Sequence, residues 1–446
     1  MKKFARFSII MLFILTMVGC SEKTSYCKTV AEPFSNEKRS CFGLSQPCDD
    51  FNAENLQAFQ REDGSRSLYL YSAAIEQTCN EIKESEESYQ ANGTYFNKSF
   101  PKCLSENTPI EIGGSKNFAK IYLQDQILSG RLTDYRNAFG LDRQAVVYEN
   151  AFGKGNDYIC YPTSFGVNTE IVISKRTESN QYQMKVQLPD LAPDTDSPDY
   201  ILFRTALKSN AVKSILYTPL AIDANGKWSY ANSVKLIEKD SVTNTYTVEY
   251  TVDQDFLQDE NTKYPITLNQ SVHLYKSKQP DTSAYENTGD EAGHYLSPYM
   301  LLGDSTIKGE GWTFIRYETL NLLDIEPEKV VSAKYVFRNL FDLEKEAKIG
   351  AYAVTEDWCS INTRWFNRPS FDETPMSEVI IQKAGDYELD VTTLLKEMIT
   401  NKKRENAKYS VQNSFFIKSE THDSNMIFAS GDNGLFSPML EIVLSE

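Results

Sequence analysis

The stretch Ala351–Phe371, reading AYAVTEDWCSINTRWFNRPSF, restricts what the chain around it can form. Just before and into it, Val336–Leu340 and Ile349–Val354 alternate β-branched and aromatic residues with others, the pattern of short strands. Trp358, Thr363, Trp365, Asn367, Arg368 and Pro369 follow, a spacing that sets two indoles close together around a turn. An indole buries a large apolar face while its N–H needs a partner, so paired indoles anchor a sandwich edge or line a ligand shelf. Asn-Arg-Pro then stops the strand, because proline removes a ladder donor and forces the preceding residue extended.

Further signals flank this stretch in a fixed order. Upstream are Leu302-Gly303 and Arg316; downstream are Leu389-Asp390-Val391-Thr392, then Phe428-Ala429-Ser430 and Pro438–Leu444. Leu394, Leu395, Met398 and Ile399 give Thr393–Thr400 one apolar helical face. Together these resemble the DNRLRE family, secreted β-sandwich domains related to carbohydrate-binding modules, whose core is Trp-x6-Trp-x3-Pro. The resemblance covers about the last third of the chain and implies one β-sandwich over 277–446. Arg364 and Phe366 stand where the family has Thr and Asn, and Ser430-Gly431-Asp432 replaces its Ser-x-Glu.

The first twenty residues read as a targeting segment. Lys2, Lys3 and Arg6 precede the apolar run Phe7–Met17, too short for a stable bilayer span. Met17-Val18-Gly19-Cys20 is similar to a bacterial lipobox, which implies cleavage before Cys20 and lipidation of its thiol. The alternative is an ordinary signal peptide with an incidental Cys. Two or three acyl chains would hold the protein at a membrane surface. The expected location is therefore outside the cell, lipid-anchored at the outer face of a bacterial membrane.

A net charge of −16 over 446 residues argues against nucleic acid and against docking on anionic lipid heads. The length suits about three domains. Besides Cys20 there are Cys27, Cys41, Cys48, Cys79, Cys103, Cys160 and Cys359. Five of these lie between residues 27 and 103 without zinc-like spacing, so disulfides with one thiol left over are expected there. Cys359 reads as a buried thiol. Within 21–109, Asp49–Arg61 and Leu68–Glu87 have apolar residues at helical spacing, and Lys83–Glu87 reads as a solvated charged run. This region is expected to be a spacer or a small disulfide-stapled helical cap.

Residues 110–276 form a middle unit with recurrent strand signals: Gln183–Leu188, Tyr200–Arg204, Ile215–Tyr217, Val234–Ile237 and Tyr246–Val252. Ala224-Asn225-Gly226-Lys227 reads as a hairpin turn. Tyr148-Glu149-Asn150-Ala151, Gly166-Val167-Asn168, Thr218-Pro219-Leu220 and Tyr264-Pro265-Ile266-Thr267-Leu268 resemble the N-terminal region of exported RHS-repeat and wall-associated proteins. The expected fold is mainly β: two jelly-roll-like β-sandwiches after a short cysteine-containing, partly helical region.

Catalytic patterns are not readable. His273, His294 and His422 share no zinc spacing, and no nucleophile elbow, phosphate loop or dinucleotide fingerprint occurs. His422-Asp423 is more simply a polar loop pair than a catalytic dyad. No cofactor is expected beyond a structural calcium to which Asp281, Asp304, Asp342 and Asp390 would contribute. For stacking on a sugar ring the candidates are Trp312, Tyr352, Trp358 and Trp365, with Arg316, Arg364 and Arg368 as polar contacts. Core packing is the preferred reading of Trp358 and Trp365. The expected function is non-catalytic binding of a polysaccharide or cell-wall glycan. The alternatives are an accessory role in protein–protein contact beside RHS-type proteins and, third, a polysaccharide-degrading enzyme.

Overall fold

A computed structural model describes residues 44–47 and 56–446, apart from 73–80, 94–95, 114–117, 124–126, 164, 195–198, 206–211, 275–280, 289–296, 306–307, 318–319, 321–322, 357, 359–362, 403–413 and 423. Cys20, the targeting segment, Cys27, Cys41, Cys48, Cys79, Cys359, His294 and Asp423 lie outside the described residues. Cys103 is an exposed free thiol and Cys160 a buried one. Among the described residues no helix is long and apolar enough to cross a membrane.

The described chain is mostly antiparallel β, in three sheets of eight, eleven and thirteen strands. The eight-stranded sheet includes Asn97–Pro101, Ile110–Gly113, Gln181–Gln187 and Thr245–Thr251. Its alternating residues Phe100, Ile110, Ile112, Met184, Val186 and Val248 face Val146, Ile171 and Leu268 of the eleven-stranded sheet, closing the first core. Alternation at period 2 puts one residue set on that core and leaves the other for the opposite face.

That opposite face is also covered. Ala145, Val147, Ile159 and Tyr161 pack against Leu301 and Ile427 of the thirteen-stranded sheet and against Leu435 and Phe436 of the turn before its last strand, so the seam between the two units is itself apolar. Tyr299 donates its hydroxyl hydrogen across the seam to Asn269 Oδ1 at 2.7 Å. Lys308 makes a buried ion pair with Asp199.

The third core lies within the thirteen-stranded sheet, which folds over on itself. Met300, Leu302, Ile315, Tyr335, Phe337, Ile349, Phe415, Ile417 and Phe428 fill it. The Thr392–Lys402 helix seals one end with Leu394, Leu395, Met398 and Ile399, as its spacing predicts. Asp390 starts it, accepting from the Thr392 backbone N–H at 2.9 Å and hydroxyl at 2.6 Å. Gly303 takes φ +94, and a Cβ there would collide with the Ser424 carbonyl, which accounts for Gly at that strand position.

The helical reading of 21–109 is overturned for the described part. Leu56–Arg61 and Arg66–Tyr71 are strands, and the second pairs with Met439–Leu444, Leu68 opposite Ile442. Ile82–Glu84 and Ser88–Ala91 are strands of the eight-stranded sheet. Leu68 and Leu70 enter the third core while Tyr69 and Tyr71 face the other way beside Phe59. Pairing with a waiting sheet edge satisfies their backbone groups and overrides local helical spacing. The boundary at 277 therefore does not enclose all strands of the C-terminal sandwich. Lys83, Glu84, Glu86 and Glu87 are exposed, around a hairpin turn.

Candidate functional site

Alternation along three adjacent strands builds the site. In Gly309–Arg316, Ser414–Ser419 and Ala347–Ala353, Ile315, Phe415, Ile417, Ile349 and Ala351 point into the third core. The intervening residues must then share the other face: Trp312, Phe314, Phe416 and Tyr352 form a separate aromatic cluster with Ala284, Val354 and Trp358. Register sets Trp312 opposite Lys418, and Phe416 between Phe314 and Tyr352. Phe416 stacks on Trp312 at 5.3 Å and on Tyr352 at 5.0 Å between ring centroids. Gly350 is required here because a Cβ would sit 2.8 Å from the Tyr352 ring lying over it.

The segment after Ala353 crosses this face as a braced loop. Its neck is closed by the Val354–Phe371 bridge and by backbone bonds from Thr355 to Ser370 and from Asp372 to Ala353. Phe371 packs edge-on against Trp312 and Phe416. Trp358 is 7% exposed and tilts against Phe314 at 5.7 Å. Its carbonyl accepts from Arg316 Nη1 at 3.1 Å, so Arg316 ties the loop to the sheet.

At the top of the loop, Asn367 Oδ1 accepts from the Arg364 backbone N–H at 2.7 Å and closes a turn. Trp365 is half-buried, edge-on to Trp312 at 5.1 Å. The Arg368 guanidinium lies 4.6 Å from the Trp312 ring and 4.3 Å from the Trp365 ring, and donates to the Trp365 carbonyl at 2.6 Å. A flat cation can lie against both rings of this edge-on pair in a way an ammonium does not. Phe366 projects from the same turn, 60% exposed.

The sequence candidates thus divide. Trp312, Tyr352, Trp358, Trp365 and Arg368 come together; Arg316 acts from beneath; Arg364 contributes its backbone to the turn while its half-buried side chain has an unpartnered Nε. Missed were Phe416, Phe371, Lys418, Glu420, Glu310 and Phe366. Lys418 Nζ sits 5.0 Å from the Tyr352 ring centre and 3.4 Å from Glu420. Glu310 accepts from Trp312 Nε1 at 2.7 Å, and Glu420 accepts from the Tyr352 hydroxyl. Burial and then the Glu420 carboxylate push the Tyr352 hydroxyl well above the usual phenol range, so it remains a donor. Strand register, which brings 312, 352 and 416–420 side by side, was the missing information.

Three of the four aspartates considered for calcium have described side chains, and these stand in different places. Asp342 pairs with Lys383 and accepts from the Ala384 N–H, Asp390 caps the helix, and Asp281 is buried elsewhere. Asp304 has no described side chain. His273 is fully buried, its pKa lowered to about 3 by desolvation and by Lys98, and so is neutral.

Among solved structures, the chain aligns with the N-terminal tandem of family 22 carbohydrate-binding modules from Paenibacillus barcinonensis at 8% identity. The alignment covers 77% of this chain and 97% of that one, with a TM-score of 0.15. It also aligns with an exo-β-1,3-galactanase from Phanerochaete chrysosporium at 9% identity, covering 88% and 96%, with a TM-score of 0.13. Curated proteins give no match. The sequence model of carbohydrate-binding module family 96 matches residues 328–444, a span that contains the whole Trp358–Phe371 loop. The chain therefore carries a carbohydrate-binding-module-like domain at its C-terminal end.

Proposed function

We propose that the protein is a non-catalytic, lipid-anchored surface protein that binds a polysaccharide or cell-wall glycan through the turn Trp365–Arg368. The observation carrying this reading is that an exposed Phe366 and a half-buried Trp365 lie inside the span matched by carbohydrate-binding module family 96. Sugar rings present C–H groups on one face and hydroxyls at the rim. An aromatic edge supplies the apolar contact, while Asn367, Arg364 and Arg368 supply polar groups around it. The aromatic layer beneath fixes the turn before ligand arrives, which lowers the ordering cost of binding.

A glycan array with the mature chain, followed by titration of the best ligand, tests this. Binding that disappears in a Trp365→Ala, Phe366→Ala double variant supports the assignment. A protein that retains no glycan but captures an RHS-type exported protein points to the accessory role, and turnover of the glycan to an enzyme. For the anchor, Cys20→Ser is expected to release the protein from the membrane fraction or leave it unprocessed; unchanged retention with normal processing sinks the lipid assignment.

A further inference from the structure

The motif Tyr148-Glu149-Asn150-Ala151 opens a loop of the middle unit that plays no part in the aromatic turn. This loop joins the strands Asp142–Tyr148 and Asn156–Pro162 and is braced from within. Asn150 stands at φ 55, accepts through Oδ1 from the Gly155 N–H at 2.7 Å and donates its own N–H to Asp157 Oδ1 at 2.8 Å. Phe152 donates its N–H to the Asn156 carbonyl at 3.2 Å, and Asn156 Nδ2 donates back to the Phe152 carbonyl at 3.2 Å. Held in this way, the Phe152 ring meets Tyr158 and Tyr182 at near right angles, with centroids 5.8 and 5.5 Å away. Even so, Phe152 is only partly buried.

Its exposed part lines a hollow of about 260 Å³, together with Tyr182, Ser179, Gln181 and Gln183. That size is near the lower end for small-ligand sites. The hollow exists because one neighbouring strand stops short. Gln181–Gln187 pairs with Thr245–Thr251 along its whole length, but with Phe118–Tyr122 only through Lys185–Gln187. Gln181–Met184 therefore has one edge that no described strand covers. Gln181 and Gln183 each donate an amide hydrogen to Glu249, at 3.1 and 2.9 Å, which fixes both amides and leaves their oxygens to accept.

This lining selects among ligands. None of its residues carries a charge, so an anion finds no cation and a cation no carboxylate. A wholly apolar ligand would leave the amides and the strand edge without partners. An added peptide strand would run into Tyr122 after only Gln181–Met184. A neutral sugar ring fits: its C–H face packs on Phe152 and Tyr182, and its hydroxyls meet the amides and the free edge.

We propose that the hollow beside Phe152 is a second carbohydrate contact, on the middle unit, which takes one neutral sugar ring. The assignment stands on the lining of this hollow and not on the aromatic turn, so either can fail without the other. A single ring held here binds weakly, with Kd of about 1 mM, and does not register in titrations of the turn at lower glycan concentrations.

The test is saturation-transfer NMR on the full mature chain with the methyl glycosides of glucose, galactose, mannose and xylose, each at millimolar concentration. The background is the Trp365→Ala, Phe366→Ala chain, in which the turn does not contribute. Transfer to at least one glycoside is expected there. Phe152→Leu keeps an apolar side chain on the core but removes the ring, and should weaken binding roughly tenfold. Ser179→Arg fills the hollow from an exposed position, and should abolish the signal without moving Tm. If Phe152→Leu does not fold, Ser179→Arg decides alone. Absence of transfer to all four glycosides in this background overturns the proposal and leaves the turn reading standing. Transfer that survives Ser179→Arg also overturns it. Transfer that is equal in wild type and background yet lost with Ser179→Arg would uphold the hollow and remove the turn.

Discussion

The two faces of the Gly309–Arg316, Ser414–Ser419 and Ala347–Ala353 strands are built from the same backbone and do different work. Inward, Ile315, Ile417, Ile349 and Ala351 are aliphatic and fully buried. Outward, Trp312, Phe416 and Tyr352 are also buried, but by a loop instead of a second sheet, and Arg368 and Lys418 lie on their rings. Aliphatic packing is non-directional and tolerates no charge. Aromatic rings accept cations on their faces and keep polar tips at the rim, so the same apolar area can support a polar surface. The comparison teaches that the outer layer is a pedestal: it holds Trp365, Phe366 and Arg368 out where the inner layer holds nothing out.

The largest effect should come from the inner face. Ile417→Ala leaves a void among fully buried side chains and is expected to cost about 2–5 kcal/mol of unfolding free energy. Glycan affinity measured well below the transition should be unchanged. A variant that melts normally would mean that the third core is loosely packed and the contrast is false.

Trp365→Ala tests the pedestal itself. The indole is half-buried and contributes an edge contact to Trp312 and a face to Arg368, together about 1–2 kcal/mol. Urea unfolding should show that smaller loss, and glycan binding should vanish. A loss as large as that of Ile417→Ala would make Trp365 a core residue, as the sequence alone suggests.

Arg368→Lys is expected to cost less, about 0.5–1 kcal/mol, because an ammonium cannot lie flat against both indoles or keep the same bond to the Trp365 carbonyl. Trp fluorescence should shift as the two rings loosen, with a partial fall in affinity. An unchanged spectrum would show that charge, not planarity, fills the gap.

The sequence carried the β class, the middle-unit strands and the Thr392–Lys402 helix, because alternation and helical periodicity are local. The placement of Leu56–Tyr71 was not legible. Leu68, Tyr71, Ala74 and Ile75 satisfy a helical period, and only the distant edge of Met439–Leu444 decides for a strand. The paired Trp motif falls in the loop that crosses the outer aromatic face. It could not show that Trp358 lies under the loop and Trp365 at its top, since that depends on Arg316 holding one and Arg368 stacking on the other. Phe366 read as a departure from a pattern; its exposure is a property of the closed turn.

Phe366→Ala should have the smallest effect on stability and separates the faces most cleanly. The ring is 60% exposed, so its removal takes little area from the core, and unfolding free energy should stay within about 0.5 kcal/mol of wild type. If the turn is where a sugar ring rests, the same substitution removes its apolar contact, and affinity should fall roughly tenfold, about 1.4 kcal/mol. Phe366→Tyr should keep most of it, because the ring face survives. The measurement is titration of the wild type and both variants with one glycan, beside thermal melts of all three. Equal affinities would move the binding surface away from the turn, towards the Lys418 and Glu420 rim, and leave Phe366 as an ordinary exposed apolar side chain. A tenfold loss without a change in melting would show that the outer face spends its rigidity on recognition, while the inner face spends its own on holding the sheet.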